Sequence, residues 1–233
     1  MYEMNEGKRM HFDRIFSTQD YAREQREKGV DLFVTAGEQT CGKGTKGRSF
    51  VSDRGGVYLT RLHFPENLSA KNTFQIMAYA AVAVCETLRA YGVNPMIKWP
   101  NDVYVNDKKI CGILIENSLR GDRVYSSLTG IGVNVNNILP DELSGTATTL
   151  CLAMGKTFSV EEVTARLIEE LKKPRTMQEY LDYVGYMGRE ATLIFEDRSV
   201  HGTLVCVDQE GGLTVKTAEG KMRVTAAEVS LRI

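Results

Sequence analysis

The chain has 233 residues, of which 42% are hydrophobic and 25% charged, and its 29 basic and 30 acidic side chains leave a formal net charge of −1. This is the composition of a folded globular protein, and the balanced charge argues against a nucleic-acid-binding surface. The longest apolar stretch, 76–85, is far shorter than the roughly 20 residues of a membrane span. Five cysteines without CxxC pairing and a polar amino terminus predict a reducing, cytoplasmic location, and three scattered histidines do not predict a zinc site.

The first three quarters of the chain predict an α+β fold. β-Branched and aromatic residues indicate strands, an alanine-rich run indicates a helix buried over most of its surface, and a helical period of apolar residues after Ser159 indicates a capped helix that Pro174 ends. The predicted strands are 30–36, 57–63, 96–99, 103–105, 110–116 and 124–135, and the predicted helices are 73–89, 160–171 and 177–186.

The pattern changes at Gly188 to short alternating strands separated by turns. The predicted strands are 191–195, 200–207, 213–216, 221–224 and 229–233, with turns at 208–212 and 219–220. We therefore predict two domains, 1–187 and 188–233. A unit of about 45 residues is marginal for independent folding, so we expect the second domain to pack on the first.

The most informative segment is 98–116, where two predicted strands carry lysines on either side of a turn at 106–107. The residues directly after Lys98 are Trp99, Pro100, Asn101 and Asp102. Ammonium groups held beside a carboxamide and a carboxylate suit a site that binds phosphates together with a magnesium ion. A solvated hairpin with ordinary surface lysines is the alternative, and we prefer it for Lys108.

A second segment, the loop 39–50, combines backbone freedom with positive charge and could close over an anion. It contains three glycines interleaved with three cations, Gly42, Lys43, Gly44, Lys46, Gly47 and Arg48. The loop lacks the spacing of a P-loop, and no apolar helical pattern follows its G-x-G-x-x-G, so a Rossmann nucleotide site is excluded.

Segment 98–116 closely resembles the KWPND…K…GIL signature of biotin protein ligases, and the loop is similar to the GRGRxGR adenylate loop of that family, with Lys43 and Thr45 in place of arginines. Segment 16–20 resembles the family's STN element, with Gln19 in place of asparagine; its Ser-Thr pair is also a candidate helix N-cap. Three further elements follow in the order that the family has: Gln39, the Gly-Gly strand entry at 52–60 and the GIGINVN-like strand at 130–136. The resemblance covers roughly residues 12–233.

The resemblance implies a biotin/lipoate ligase-like catalytic domain, a mixed sheet with packed helices, followed by a small SH3-like β-barrel. It implies an ATP-dependent ligase that uses Mg²⁺, converts biotin to biotinyl-5′-adenylate and transfers biotin to a lysine of a biotin carboxyl carrier protein domain. About eleven residues before Phe12 leave no room for a helix-turn-helix, so we expect no repressor activity. The resemblance is compatible with a homodimer.

The resemblance also assigns roles to residues. Lys109, which would bridge the biotin carboxylate and the α-phosphate, is the principal catalytic candidate, with Arg48 and Asp102; Asp102 is also the candidate magnesium ligand. The biotin-binding candidates are Ser17, Thr18, Gln19, Gln39, Gly42, Lys43, Gly56, Lys109 and Gly112. The ATP and adenylate candidates are Gly44, Thr45, Lys46, Gly47, Arg48, Phe50, Lys98, Asn101 and Asn134.

Two alternatives stay open at the level of sequence. A lipoate or octanoate ligase would share the catalytic fold and differ in the ring pocket, where Thr18 and Gln39 favour the ureido group of biotin. A non-catalytic biotin- or adenylate-binding regulatory protein would account for the missing arginines at positions 43 and 45, but not for the presence of Lys109, Asp102 and Asn134.

Overall fold

The computed structural model describes residues 8–232, apart from the side chain of Lys46. Its larger sheet has the strand order β1-β2-β3-β7-β6-β5-β4, in which β1 and β2 are parallel and every other neighbouring pair is antiparallel. The strands are β1 Lys8–Phe12, β2 Leu32–Ala36, β3 Val57–His63, β4 Met96–Lys98, β5 Asp102–Val105, β6 Lys108–Arg120 and β7 Arg123–Val133. The predicted mixed sheet is confirmed.

Helices cover both faces of this sheet, which requires two separate apolar sets on alternating strand positions. On one face, α2 Phe74–Arg89 packs with α4 Val160–Lys172 and α5 Met177–Tyr183 over the main hydrophobic cluster. On the other face, α1 Thr18–Glu24 packs on β2, β3 and β7 through Ala22. No helix within residues 8–232 has the length and apolar character to cross a membrane.

Some boundaries differ from the sequence prediction. Helix α5 ends at Tyr183 rather than at 186, because Val184 is extended and pairs with Ile97 of the edge strand. The strand β1, whose sequence is polar, and the short helix α3 Leu150–Met154 were not predicted. The candidate N-cap at Ser17 is confirmed, since its hydroxyl accepts a hydrogen bond from the backbone N–H of Asp20 at 3.3 Å.

The β5–β6 hairpin turns at Asn106 and Asp107, whose φ angles of +50° and +58° confirm the predicted two-residue turn. Beyond the turn, the register between β5 and β6 shifts by one residue: Tyr104 lies opposite Lys109, while Val103 lies opposite Cys111. Ile110 is therefore the extra residue of a β-bulge.

This bulge decides which side chains share a face of β6. Residues 109 and 112 would face opposite ways on a regular strand, because side chains alternate. With the extra residue between them, the Lys109 ammonium lies 3.3 Å from the position that a Cβ on Gly112 would take. Ile110 and Cys111, although consecutive, both lie in the core with 0% exposure.

The carboxyl-terminal strands form a separate five-stranded antiparallel sheet with the order β11-β10-β9-β8-β12, which confirms the predicted β module. Its strands are β8 Glu190–Ile194, β9 Ser199–Val207, β10 Leu213–Thr217, β11 Gly220–Val224 and β12 Ser230–Arg232. Core residues of this sheet, including Leu193 and Leu213, belong to the same hydrophobic cluster as α2 and Trp99. The division at 187 and 188 stays a prediction.

Candidate active site

A cleft opens on the face of the large sheet that carries α1, between β3, β6, β7 and the loop 39–50. Its floor lacks side chains where Gly112 on β6 pairs with Gly132 on β7. The ring of Phe50 lies against both glycines, and a Cβ on Gly132 would overlap it. The absence of side chains on the floor therefore lets the Phe50 ring pack directly on the backbone of β6 and β7.

One end of the cleft is a network of hydroxyl and amide groups. The Gln39 side-chain oxygen accepts hydrogen bonds from the backbone N–H and the hydroxyl of Thr18 at 2.8 and 2.9 Å. The Thr18 and Thr60 hydroxyls lie 2.9 Å apart. The Nε2 atom of Gln19 is buried and has no hydrogen-bond partner within the described residues. A ligand that presents a carbonyl oxygen here would satisfy that donor.

The other end of the cleft holds a cation beside a carboxylate. The Lys109 ammonium lies 2.7 Å from Oδ1 of Asp102, and the two side chains are 33% and 24% exposed. Asn101, one residue earlier, donates from its side chain to the carbonyl of Ile113 at 2.8 Å and fixes this corner to β6. Lys108 points elsewhere and donates to the carbonyl of Ser144 at 2.9 Å.

The loop 39–50 is folded back on itself over the cleft. The backbone N–H of Gly44 donates to the carbonyl of Arg48 at 2.7 Å, and that of Phe50 donates to Gly42 at 2.8 Å. The Arg48 guanidinium donates to the carbonyl and the hydroxyl of Thr45 at 3.2 and 3.0 Å, so its charge stays exposed at the rim.

The ammonium of Lys43 is already paired, since it lies 2.6 Å from Asp20 at the start of α1. Burial raises the pKa of the Asp20 carboxyl, but hydrogen bonds from Lys43 and Arg23 outweigh it, and the net result is a lowered pKa. This ion pair ties the glycine-rich loop to α1.

The cleft brings together most of the predicted site residues. Those that line it are Ser17, Thr18, Gln19, Gln39, Lys43, Gly44, Thr45, Phe50, Asn101, Asp102, Lys109 and Gly112. Gly42 is buried immediately behind Gln39 and Phe50, whereas Gly47 and Arg48 lie on the exposed part of the loop.

Besides Gly42, Gly47 and Arg48, three predicted residues lie outside the cleft lining. A Cβ on Gly56 would meet the hydroxyl of Tyr58 rather than a ligand. Asn134 is buried, and its side chain donates to the carbonyl of Thr148 at 3.2 Å. This bond joins the end of β7 to the segment before α3. Lys98 lies over the ring of Tyr104 at 5.3 Å from its centroid.

The surroundings of Lys98 weaken its charge. Burial lowers the pKa of its ammonium, and repulsion by Lys109 and Arg232 acts in the same direction against the attraction of Asp102. Burial also raises the pKa of the neighbouring Tyr104 to about 12, so that phenol is neutral. Lys98 pairs with Asp102 between β4 and β5 and does not line the cleft.

Sequence reasoning did not name five lining residues, Leu59, Thr60, Ile113, Leu114 and Ile131, whereas Gly130 and Gly132 belong to the strand at 130–136 that the resemblance had singled out. One signal was available: Thr60 is a polar residue inside an apolar strand, at a position where a buried hydroxyl needs a partner. The glycines of β7 were visible in the motif at 130–136, but their pairing with β6 depends on register.

The described residues contain no group of three or more His, Cys, Asp or Glu side chains that could hold a metal ion. The residues that line the cleft supply hydrogen-bonding groups at one end and, at the other, the Lys109 ammonium, which can stabilise negative charge.

The chain is similar to known proteins over most of its length. The sequence pattern of the biotin/lipoate A/B protein ligase family matches residues 11–134, and that of the biotin protein ligase C-terminal domain matches residues 186–232. The bifunctional ligase/repressor BirA of Bacillus subtilis is 32% identical over 95% of this chain and 73% of its own length. The biotin–[acetyl-CoA-carboxylase] ligase of Paracoccus denitrificans is 30% identical over 84% of this chain and 89% of its own.

Among solved structures, the biotin protein ligase from Aquifex aeolicus in complex with biotin and ATP superimposes with a TM-score of 0.80 at 32% identity, covering 97% of this chain and 98% of that one. The first pattern covers most of the larger sheet, the second covers the carboxyl-terminal sheet, and the relatives extend over both. The chain therefore belongs to the biotin/lipoate A/B protein ligase family, and the relatives it matches over most of its length are biotin protein ligases.

Proposed function

We propose that this protein activates biotin with ATP to biotinyl-5′-adenylate and then transfers biotin to a specific lysine of a biotin carboxyl carrier protein domain. The observation that carries the proposal is the β-bulge at Ile110, which turns Lys109 into the same cleft as the Gly112 floor and the polar end at Thr18. One cleft then holds hydrogen-bonding groups at one end and a cation at the other, which suits an acid that carries a polar ring.

The polar end fits the ureido ring of biotin. The Gln19 amide has a buried Nε2 without a partner, which a ureido carbonyl would satisfy. Thr18 and Gln39 supply a hydroxyl and an amide beside it, 2.9 Å apart. The glycine floor and the Phe50 ring would hold the apolar rings between the two ends.

At the other end, the biotin carboxylate would lie beside the ammonium of Lys109. In the first step a carboxylate oxygen attacks the α-phosphorus of ATP, an acyl-phosphate bond forms, and pyrophosphate leaves with the electron pair of the broken P–O bond. Negative charge builds on the α-phosphate between the reactants, and Lys109 is preorganised to stabilise it by its contact with Asp102. Arg48 and Thr45 lie on the loop at the same end.

In the second step, the amine of the carrier lysine attacks the acyl carbon, an amide forms, and AMP leaves. Asp102 is placed to orient or deprotonate this amine, since its carboxylate borders the cleft 2.7 Å from Lys109. Magnesium would enter with the nucleotide, because Mg²⁺ takes few protein ligands and binds through one or two carboxylates and phosphates. Asp102 is the carboxylate that fits this role, and Mg²⁺ would neutralise phosphate charge there.

The test is pyrophosphate release by the purified protein with ATP and Mg²⁺. We expect release with biotin, a small burst without a carrier and continuous turnover when a biotin carboxyl carrier protein domain is added. Mass spectrometry of the retained ligand should show biotinyl-adenylate. Equal release with lipoate or octanoate would refute the choice of biotin, and no release with any acid would favour a binding protein.

A further inference from the structure

Trp99, the only tryptophan of the chain, joins the carboxyl-terminal sheet to the proposed active site. It lies in the turn between β4 and β5 and is 2% exposed. Its indole N–H donates to the carbonyl oxygen of Gly211 at 2.9 Å, and Gly211 lies in the turn between β9 and β10. The carboxyl-terminal module thus bonds to the turn that carries Asp102.

The Gly211 carbonyl is held in a fixed direction. One carboxylate oxygen of Asp208 accepts the backbone N–H groups of Glu210 and Gly212, both at 2.9 Å, and the other accepts from Arg223 at 2.6 Å. The φ angle of Gly211 is +83°, and a Cβ there would overlap the ring of Phe74. Both the conformation and the close packing require glycine at this position.

A second buried contact holds the next residue of the same turn. The ring of Phe74 packs edge to face on Tyr180, with centroids 5.4 Å apart. The Tyr180 hydroxyl donates to the carbonyl of Pro100 at 3.0 Å. Asn101 follows and is tied to Ile113 of β6 through both its backbone and its side chain.

We propose that Trp99 is a positioning residue for the ligase reaction, and that the turn 208–212 of the carboxyl-terminal sheet is part of the active-site scaffold. The bond from Trp99 to Gly211 holds the turn 99–101 so that Asp102 meets the Lys109 ammonium at 2.7 Å. This inference rests on the proposed function, because the role of Lys109 comes from it. Displacing a reactive group by about 1 Å can cost on the order of a hundredfold in rate.

The first test is Trp99→Phe, which keeps an aromatic ring in the core and removes the N–H that reaches Gly211. We expect kcat for biotin-dependent pyrophosphate release to fall roughly ten- to hundredfold, with the KM for biotin near its wild-type value because the polar end at Thr18 is unchanged. Val215→Ala is the matched control, since it removes buried side-chain atoms from the same sheet and leaves the indole N–H and its acceptor on Gly211 in place. An equal loss of kcat in both variants, each measured where it is fully folded, would reduce Trp99 to a structural role.

A double-mutant cycle separates positioning from stability. If Trp99 acts through Asp102, then Trp99→Phe should have little further effect on kcat in an Asp102→Asn background, because the contact that it supports is already lost. Full additivity of the two losses would overturn the proposal.

The fluorescence of Trp99 gives a readout that does not depend on biotin chemistry. Gly211→Ala should shift this single emission to the red and increase its quenching by acrylamide, while lowering kcat as Trp99→Phe does. Unchanged emission, or altered emission with wild-type pyrophosphate release, would contradict the inference. Failure of the proposed function would appear separately, as no release by the wild-type protein with any acid.

Discussion

Replacing Lys109 with alanine should abolish adenylate formation and leave the fold intact. The Lys109 and Asp102 side chains are 33% and 24% exposed, so their ion pair contributes at most about 1 kcal/mol to stability. Losing a preorganised cation at a developing charge raises the barrier by about 3 kcal/mol or more, which is roughly a hundredfold or greater in rate. The measurement is single-turnover formation of biotinyl-adenylate, with thermal unfolding followed on the same samples.

Lys108→Ala is the matched control, because it removes the same side chain one residue earlier on the strand. Lys108 reaches the carbonyl of Ser144 on the other side of the hairpin, so its loss should leave the rate near that of the wild type. Similar losses of activity in the two variants would show that the bulge at Ile110 does not direct Lys109 alone into the cleft. A large fall in thermal stability of Lys109→Ala would show that the lysine supports the fold and not only the reaction.

Three further predictions follow from the loop, the cleft floor and a buried histidine. Thr45→Arg should slow dissociation of biotinyl-adenylate and reduce stray biotinylation of serum albumin, since a guanidinium can hold a phosphate with two hydrogen bonds and a threonine hydroxyl cannot; an unchanged off-rate would refute this. Gly132→Val should raise the Kd for biotin about tenfold or more, a loss of about 1.4 kcal/mol of binding free energy, because its side chain would overlap Phe50 at the floor of the cleft; isothermal titration with biotin measures this Kd. Burial lowers the pKa of His63 to about 3, whereas an unfolded histidine titrates near 6.5. The unfolded chain therefore binds the extra proton, and stability should fall as the pH drops from about 6.5, by up to roughly 1.4 kcal/mol per unit. Denaturant unfolding measured between about pH 3 and about pH 6.5 should show a flatter dependence of stability on pH for His63→Gln than for the wild type. The exposed control His201→Gln should show the wild-type dependence.

Local signals determined much of this protein. The turn at Asn106 and Asp107 was predictable because few residue pairs adopt positive φ twice in succession, and the structure shows both angles positive. The apolar face of α4 and its cap at Ser159 follow from helical periodicity. Hairpin signals in the last 45 or so residues likewise predicted a small β module. In each case the information lies within a few neighbouring residues.

Contacts between distant segments decided the rest. The bulge at Ile110 depends on how β5 pairs with β6, and no local pattern distinguishes it from a regular strand. The strand β1 is polar and mostly exposed, so it has no hydrophobic signal and exists through its parallel pairing with β2.

The partners of charged and polar groups were also set by tertiary structure. Lys43 was predicted to bind a ligand, and in the fold its ammonium pairs with Asp20, which lies 23 residues earlier. Trp99 reaches Gly211 over a separation of 112 residues. The sequence alone determined which residue types could bind an acid and a nucleotide, because those types are chemically specific. Only the packed sheets determined which of them share one cleft, because strand register and helix placement are global properties of the chain.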